Sequence, residues 1–463
     1  MGCPGNTRKA DRRRCLNRGR RRNGNVTNKN LKAGHTPDIR QVGEQMYKLA
    51  TELYPICRSI TGDGFRHSLE IIRNHIPITT HEVPTGTRVF DWIVPKEWNI
   101  SDAWIKNDRG VKVVDFKSCN LHVVSYSVPV QARIPLSELK KHLHYLPESP
   151  DLIPYRTSYY NETWGFCLTY NQARSLPDGQ YDIYIDSSLE DGHLVYGEYC
   201  LEGETEEEVL ISCHSCHPSL ANDNLSGMAV VTFLAKHLSE LPRRYTYRFL
   251  FVPGTIGSIA WLARNEDQVA RIKHGLVVAC VGDPGHVTYK KSRRGNAAID
   301  RAAARVLKES GRPYEIIDFS PYGYDERQYC SPGFDLPVGC LTRTPHGRYP
   351  EYHTSADNLD FIQPAFLYDS LATCSAVFEL LEKSVYYTNV RPKGEPQLGR
   401  RGLYRALGGF SDSNESEQAM LWILNLSDGD HSLADIAEQS GLDIDVITRN
   451  SDVLCKHGLL RSG

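Results

Sequence analysis

Two histidines and two aspartates in the central part of the chain have side chains that commonly bind metals. His214 and Asp283 each follow a run of apolar residues, while Asp223 and His353 lie in polar segments further along the chain. Imidazole nitrogen and carboxylate oxygen are ligands that zinc prefers in proteins. Because all four side chains are expected at one edge of a predicted sheet, they indicate a zinc site.

Each of these residues also has an ordinary structural role. Asp223 precedes a predicted helix, where a carboxylate commonly caps the first turn. A single histidine in such a loop is more often hydrogen-bonded than metal-bound, and the neighbouring Cys216 and His217 could equally be structural. The convergence of four such side chains favours the metal site.

The elements that would position these side chains alternate between strand and helix from about residue 207. Apolar runs and amphipathic spacing predict strands at 209–213, 245–252 and 275–281 and helices at 225–238, 256–264 and 366–381. This alternation predicts an α/β fold with a mixed, largely parallel sheet flanked by helices. Ligands of such sheets bind beyond the carboxyl ends of the strands, where the four polar side chains fall.

The rest of the chain divides by composition into further segments. Short runs rich in Val, Ile, Tyr and Trp predict a β-rich domain inserted into the α/β domain, and helical patterns near the end predict a winged helix. The predicted segments are a basic disordered tail (1–37), the N-terminal part of the α/β domain (38–82), the inserted β-rich domain (83–200), the α/β metal domain (201–390), a linker (391–412) and the winged-helix domain (413–463).

Composition argues against a membrane-spanning protein and favours the cytoplasm. The chain is 40% hydrophobic and 24% charged, and it has no apolar run of the ~18 residues that a spanning helix needs. Its 13 cysteines are scattered singly, which favours a reducing compartment over a disulfide scaffold. The Lys- and Arg-rich start could contact nucleic acid or anionic lipid, but it has little to bury and is expected to be disordered.

The C-terminal segment has the spacing of a DNA-binding helix-turn-helix but not its charge. The predicted second helix carries three aspartates against two basic residues, whereas DNA-binding helices concentrate positive charge. These residues are Asp443, Asp445, Asp452, Arg449 and Lys456. We therefore expect this domain to bind a protein partner or a second copy of the chain rather than DNA.

Several segments together resemble the two-zinc aminopeptidases. His214-x-Cys216 and the segment Ala221–Gly227 are similar to the H-x-D and A-N-D-x-x-S-G segments of those enzymes, and Tyr352–Asp357 resembles their last-ligand segment, Y-H-T-x-x-D. The stretches 54–64, 154–167 and 325–333 resemble a narrower group, the aminopeptidase-like proteins of polysaccharide or natural-product biosynthesis clusters. The resemblance covers nearly everything after residue 40 and implies a zinc-peptidase-like fold.

Carried over residue by residue, the resemblance implies one or two zinc ions. The implied ligands are a bridging Asp223, with His214 and Asp283 for one ion and His353 for the other. Cys216 stands where these enzymes have an aspartate that holds the metal-bound imidazole, so His217 becomes an alternative ligand.

The glutamates that such enzymes use for chemistry are absent from this sequence. Alignment through Gly257 places Gly254 and Thr255 where these enzymes have a general base and a ligand. We assign the proton transfer to Glu326 instead, and we expect Gly254→Glu to raise the rate if the strand end has kept its geometry. The residues assigned to substrate contacts are Arg58, Arg327 and Tyr352.

Three functions are compatible with these observations. The first is a zinc-dependent amide hydrolase of aminopeptidase type that acts on a small aminoacyl or peptidyl conjugate in a cytoplasmic biosynthetic pathway. The second is a binding module that has kept the fold and a metal but has lost hydrolysis, and the missing glutamates favour it. The third, a transcriptional regulator with an enzyme-like sensor, rests only on the winged helix and the basic tail.

Overall fold

The fold is given by a computed structural model that describes residues 39–403 and 414–462. Its helices are α1 (Ile39–Leu53), α2 (Asp63–Arg73), α3 (Leu136–Leu139), α4 (Tyr170–Ser175), α5 (Gly227–Ser239), α6 (Ile256–Arg264), α7 (Ala298–Glu309), α8 (Glu326–Tyr329), α9 (Pro364–Lys383), α10 (Asn414–Leu426), α11 (Leu433–Ser440) and α12 (Ile444–Lys456). The predicted basic tail and part of the predicted linker lie outside the described residues.

The strands of the described residues form one large sheet and several small ones. They are β1 (Thr79–Pro84), β2 (Arg88–Val89), β3 (Trp92–Ile93), β4 (Glu97–Asn107), β5 (Lys112–Asp115), β6 (Val130–Pro135), β7 (Leu143–His144), β8 (Phe166–Cys167), β9 (Gln180–Glu190), β10 (His193–Leu201), β11 (Glu208–His214), β12 (Thr246–Val252), β13 (Ile272–Val278), β14 (Val287–Lys290), β15 (Tyr314–Ile317), β16 (Val338–Thr342), β17 (Tyr386–Asn389), β18 (Asp428–Ser432) and β19 (Leu460–Ser462).

The large sheet has eight strands in the order β1-β10-β12-β11-β13-β16-β14-β15. Its four central strands, β12, β11, β13 and β16, run parallel, while β10 and β14 join them antiparallel on either side. Every residue of β11 is buried, as expected for a strand that is covered on both faces. The prediction of a mixed, largely parallel sheet flanked by helices is confirmed.

The inserted sheet is shorter than the predicted domain of residues 83–200. It has the order β5-β4-β9-β6, is antiparallel throughout and packs around an apolar core of its own. Strands β1 and β10 pair with each other in the large sheet instead. Composition could not separate them, because strands of both sheets are rich in the same β-forming residues.

The winged-helix unit begins earlier than the predicted residue 413. Strand β17 pairs with both β18 and β19 in a three-stranded sheet, and α10, α11 and α12 pack beside it. The sequence pattern missed β17 because four residues between a long helix and a polar stretch show no periodicity of their own.

None of the helices in the described part of the chain is long and apolar enough to cross a membrane.

Candidate metal centre

Asp223 lies at the centre of a buried polar cluster beyond the carboxyl end of β11. An irregular helical turn at Ala221–Ser226 leads into α5 and carries this aspartate, which has no exposed surface. The backbone N–H groups of Asn222 and Asp223 donate to the two carboxylate oxygens of Asp357 at 2.5 and 3.0 Å. Asp357 therefore fixes the turn that presents Asp223.

Three imidazoles surround the Asp223 carboxylate. His214 Nε2 lies 2.6 Å from Oδ1, and His353 Nε2 lies 3.0 Å from Oδ2. His217 Nδ1 is 3.5 Å from Oδ2, and this buried nitrogen makes no hydrogen bond within the described residues. The structure thus brings together three of the predicted ligands and the alternative ligand His217.

Burial and charge act in opposite directions on the titration of this cluster. Burial opposes ionisation of Asp223, but His217 and His214 hold its pKa well below the ordinary value. Burial alone would lower the pKa of His214, yet the Asp223 charge raises it overall, whereas burial prevails for His217 and lowers its pKa. Because His217 tends to be neutral, additional positive charge at this point would stabilise the buried carboxylate.

The donor set of this cluster suits a zinc-type cation. Ligand atoms of His214, His217 and Asp223 all lie within 4.8 Å of one another, so one ion could contact all three. His353 approaches the same carboxylate, and its side chain is 34% exposed, which leaves that side open to solvent. Imidazole and carboxylate ligands with one open side match catalytic zinc sites, which keep a coordination position free.

Aromatic rings pack against two of these imidazoles. The ring of Tyr324 stacks on His214 with centroids 5.1 Å apart, and the ring of Tyr352 stacks on His353 at 4.0 Å. Such contacts restrict the rotation of the imidazoles, so that the nitrogen atoms keep their direction toward Asp223.

The inserted segment also contributes to the cluster. The ring of Tyr155 meets His217 and His353 edge-on, with centroids 5.1 Å apart in both cases. The backbone N–H of Tyr155 donates to the carbonyl of His353 at 2.8 Å. The insertion therefore helps to hold the loop that carries His353.

Asp283 does not join the cluster, contrary to the prediction from sequence. Strand β13 ends at Val278, earlier than predicted, and the chain turns at Cys280, whose φ is 50°. This turn carries Asp283 into the neighbouring loops, where both of its oxygens accept hydrogen bonds from Asn222, Gly285 and Thr344. Asp283 consequently positions the loops around Asp223.

The predicted catalytic Glu326 has different surroundings from its neighbour Asp325. Glu326 Oε1 accepts a hydrogen bond of 2.8 Å from Lys290. Asp325 Oδ1 accepts one of 2.9 Å from Ser258, and the second oxygen of each carboxylate is buried without a partner within the described residues. Burial raises the pKa of Asp325 to about 6, and the charge of His214 opposes that rise. Asp325 is thus a second carboxylate that lies close enough to His214 to interact with its charge.

Gly254, just beyond the end of β12, faces both the cluster and Asp325. A Cβ atom added at this residue would lie 3.0 Å from His214 Cβ and 3.6 Å from Asp325 Oδ2. Part of the space that a glutamate side chain would need after β12 is therefore taken by the carboxylate of Asp325.

The three residues assigned to substrate contacts differ in their accessibility. Arg58 is fully buried and donates to backbone carbonyls, including that of His217 at 3.0 Å, so it supports the cluster from behind. Tyr352 and Arg327 are half-buried, and Arg327 Nε has no partner within the described residues. Substrate contact stays a prediction for Tyr352 and Arg327.

Four residues of this site were missed by the sequence reasoning: Tyr155, Tyr324, Asp325 and Asp357. Three of them lie inside segments that carry the resemblance to aminopeptidase-like proteins, and the fourth adjoins such a segment. The signal was therefore present in the sequence, but the sequence does not show which side chains of a matching segment face the cluster.

Two known protein families match successive parts of the chain. The family described as "Domain of unknown function (DUF4910)" matches residues 47–384, and a winged helix-turn-helix family matches residues 385–462. A Clostridium acetobutylicum protein named "Putative polysaccharide biosynthesis protein with aminopeptidase-like domain" is 54% identical over 421 residues, which cover 91% of this chain and 97% of that protein.

Solved structures show the same fold at two levels of similarity. The crystal structure of a "putative peptidase" from Clostridium acetobutylicum has a TM-score of 0.78 at 52% identity and covers 92% of this chain and 97% of its own. A zinc aminopeptidase from Bacillus subtilis has a TM-score of 0.55 at 12% identity, covering 73% and 94%. A peptidase M28 precursor from Shewanella amazonensis has a TM-score of 0.53 at 13% identity, covering 75% and 97%. The last two show the fold alone, and the resemblance to aminopeptidase-like proteins is confirmed.

Proposed function

Since the chain belongs to the family of the domain of unknown function DUF4910 and ends in a winged helix-turn-helix domain, we propose that it is a metal-dependent amide hydrolase with an aminopeptidase-like fold. Its proposed substrate is a small aminoacyl or peptidyl conjugate. One observation carries the proposal: the fully buried Asp223 carboxylate has three imidazoles within 3.5 Å, and one side of the cluster is open.

The residues that would hold the metal are His214, His217, Asp223 and His353, with zinc as the proposed ion. Two structural features favour a divalent cation there: His217 Nδ1 has no hydrogen-bond partner within the described residues, and the ligand atoms lie close together. When bound, zinc would supply a Lewis acid that polarises an amide carbonyl and lowers the pKa of a water molecule toward neutrality.

We assign proton transfer to Asp325 in preference to Glu326. Each of the two carboxylates has one buried oxygen without a partner within the described residues, but Glu326 is paired with Lys290. The pKa of Asp325, raised by burial to about 6, suits a group that accepts and releases a proton near neutral pH. Ser258 holds the other oxygen, so the carboxylate keeps one orientation. In this role Asp325 would replace the glutamate that is absent after β12.

The proposal is tested by assaying the purified chain against a panel of aminoacyl anilides, before and after chelation and with zinc restored. Hydrolysis should disappear with chelation and return with zinc, and Asp223→Asn should abolish it. Asp283→Asn is the matched control, because this carboxylate lies in the same loops but outside the cluster, and it should retain most of the activity. Turnover that is indifferent to both chelation and Asp223→Asn would rule the proposal out.

A binding module without hydrolysis is the second candidate, and the residues after β12 favour it. Gly254 and Thr255 carry no acid–base group, so a bound metal there would depend entirely on Asp325 for proton transfer. In that case the purified chain would contain metal, and no member of the anilide panel would be hydrolysed.

We further propose that the reaction belongs to a biosynthetic pathway in the cytoplasm. The Clostridium acetobutylicum relative carries a polysaccharide biosynthesis name, which supports the pathway type. All cysteines within the described residues are free thiols, which is typical of a reducing compartment.

A further inference from the structure

A small cavity of about 170 Å³ lies next to the metal cluster and belongs to no role assigned so far. Its walls include Lys290, Glu326, Ser320, Tyr324, His346 and Arg348. Tyr324 is shared with the cluster, because its ring also stacks on His214. The ring of His346 lies 5.2 Å from that of Tyr324, so Tyr324 forms a wall between the cavity and the candidate centre. We call this space the Lys290 cavity.

A buried ion pair in the Lys290 cavity has hydrogen-bonding capacity to spare. Lys290 Nζ donates to Glu326 Oε1 at 2.8 Å and to the carbonyl of Tyr322 at 2.9 Å, which uses two of its three N–H groups. Glu326 has no exposed surface, and its Oε2 accepts no hydrogen bond within the described residues. Because buried carboxylate oxygens normally accept hydrogen bonds, Glu326 Oε2 is an acceptor available to a ligand that brings a donor.

The charges around this cavity already compensate one another. Lys290 and Glu326 neutralise each other, and Arg348 is paired with Glu315 at 2.7 Å. Burial lowers the pKa of His346, which favours its uncharged form near neutral pH. An ionised group that entered the cavity would therefore be buried without a free counter-charge, which is unfavourable.

We infer that the Lys290 cavity binds a neutral, hydroxyl-bearing group of the substrate, such as a sugar ring. One hydroxyl would donate to Glu326 Oε2, and a second oxygen would accept the remaining N–H of Lys290. This inference rests on the proposed function only in treating that group as part of the conjugate whose amide is cut. A site with such a buried acceptor discriminates strongly against analogues that lack the hydroxyl.

Three sugars that differ mainly in charge test the inference on the unaltered full-length chain. Glucose, glucosamine and glucuronate are titrated by calorimetry or ligand-observed NMR at neutral pH. Glucose should bind at least about tenfold more tightly than either charged sugar. Tightest binding of glucuronate or of glucosamine, or no binding of any of the three, would overturn the inference.

A double substitution tests whether glucose binds in the Lys290 cavity. Lys290→Gln combined with Glu326→Gln keeps the walls neutral but removes the carboxylate acceptor, so glucose affinity should fall about tenfold while metal content is unchanged. The matched control combines Lys141→Gln with Glu138→Gln, an exposed pair elsewhere, and should bind glucose normally. Equal glucose affinity in the two double variants would contradict the assignment, and the sugar series remains decisive if the first variant does not fold.

The proposed glucose binding and the proposed amide hydrolysis can be contradicted independently of each other. Asp223→Asn should lose metal and activity yet keep glucose binding, because that residue does not line the cavity. Glucose binding without any hydrolysis would refute the proposed function alone, and hydrolysis without glucose binding would refute the cavity assignment alone.

Discussion

The two edges of the large sheet use charged side chains in opposite ways. At the carboxyl edge, His214, His217 and His353 converge on the single buried carboxylate of Asp223. The amino edge contains a cavity of about 600 Å³. It is lined by residues at or just before the starts of β11, β12 and β13 and by residues of the winged-helix strands β17 and β18. That cavity is larger than the Lys290 cavity, yet the acidic and basic side chains in its walls do not converge on one residue.

Ion pairs beside this amino edge connect the winged helix to the α/β domain in a small network. Arg301 of α7 lies 3.1 Å from Asp435 of α11 and 3.5 Å from Asp430. Arg305 lies 2.7 Å from Glu438 and 3.4 Å from the same Asp435. Each cation therefore meets an acid of the other unit, as in an interface between domains. The convergence of three imidazoles on one fully buried carboxylate, rather than cavity size or the amount of charge, distinguishes the candidate centre.

The largest expected effect comes from removing the centre of convergence. Protein purified without chelator should carry about one equivalent of zinc or a similar divalent ion, and Asp223→Ala and His353→Ala should lose it, because each removes a donor from the cluster. Elemental analysis of the purified variants measures this. Asp283→Ala should keep its metal, although it should lower stability, since Asp283 accepts several buried hydrogen bonds.

If Asp223→Ala and His353→Ala both keep the metal content of the unaltered chain, the centre has been misassigned. Loss of metal from Asp283→Ala with unchanged stability would instead restore the ligand role that the sequence first suggested.

The second effect separates two adjacent carboxylates at the carboxyl edge. Asp325→Asn should lower the rate of amide hydrolysis about 10²- to 10⁴-fold, the usual contribution of a general base, whereas Glu326→Gln should alter substrate affinity more than rate. The values of kcat and KM for both variants, measured with zinc present, decide between the two. A larger loss of kcat in Glu326→Gln would return the proton transfer to the residue predicted from sequence.

Gly254→Glu sharpens the same comparison. The sequence alone suggested that this change would raise the rate, but the added side chain would start 3.6 Å from Asp325 Oδ2 and bring a like charge toward it. We therefore expect no increase in rate in the otherwise unaltered chain. An increase only when Gly254→Glu is combined with Asp325→Asn would show that the two carboxylates serve the same purpose.

The contrast between the edges also shows what could be predicted from sequence. The fold, the strand that ends at His214 and the cluster around Asp223 followed from apolar runs and motif spacing, which are local properties. Asp283 was misplaced because the four residues between the end of β13 and Asp283 determine where its carboxylate points. Asp325 was missed because its contact with Ser258 joins residues 67 positions apart, and no local pattern records such a distance.

The third effect concerns His274, which is buried at the amino edge. Burial, reinforced by Arg244 and Arg301, lowers its pKa to about 3, so the folded chain keeps it neutral while the unfolded chain protonates it below about pH 6.5. The unfolded state then binds more protons, and stability should fall by about 2 kcal/mol as pH drops from 7 to 5. Denaturant unfolding of His274→Gln should show a smaller loss over this range. An identical pH dependence in the variant would exclude the histidine as its source.

The smallest expected effect is an absence of DNA binding by the winged helix. The exposed face of α12 presents Asp445 and Asp452 beside Arg449 and Lys456, with Asp443 at its start. Each phosphate that a protein neutralises adds to affinity and to its salt dependence, so a face with balanced charge gains little from a polyanion. The chain from residue 40 onward should therefore show no duplex binding that weakens between about 50 and 200 mM salt, as measured by fluorescence anisotropy. Micromolar binding at physiological salt that disappears when residues 385–463 are removed would contradict this prediction. It would favour a transcriptional regulator in which the winged helix binds DNA and the candidate metal centre acts as the sensor.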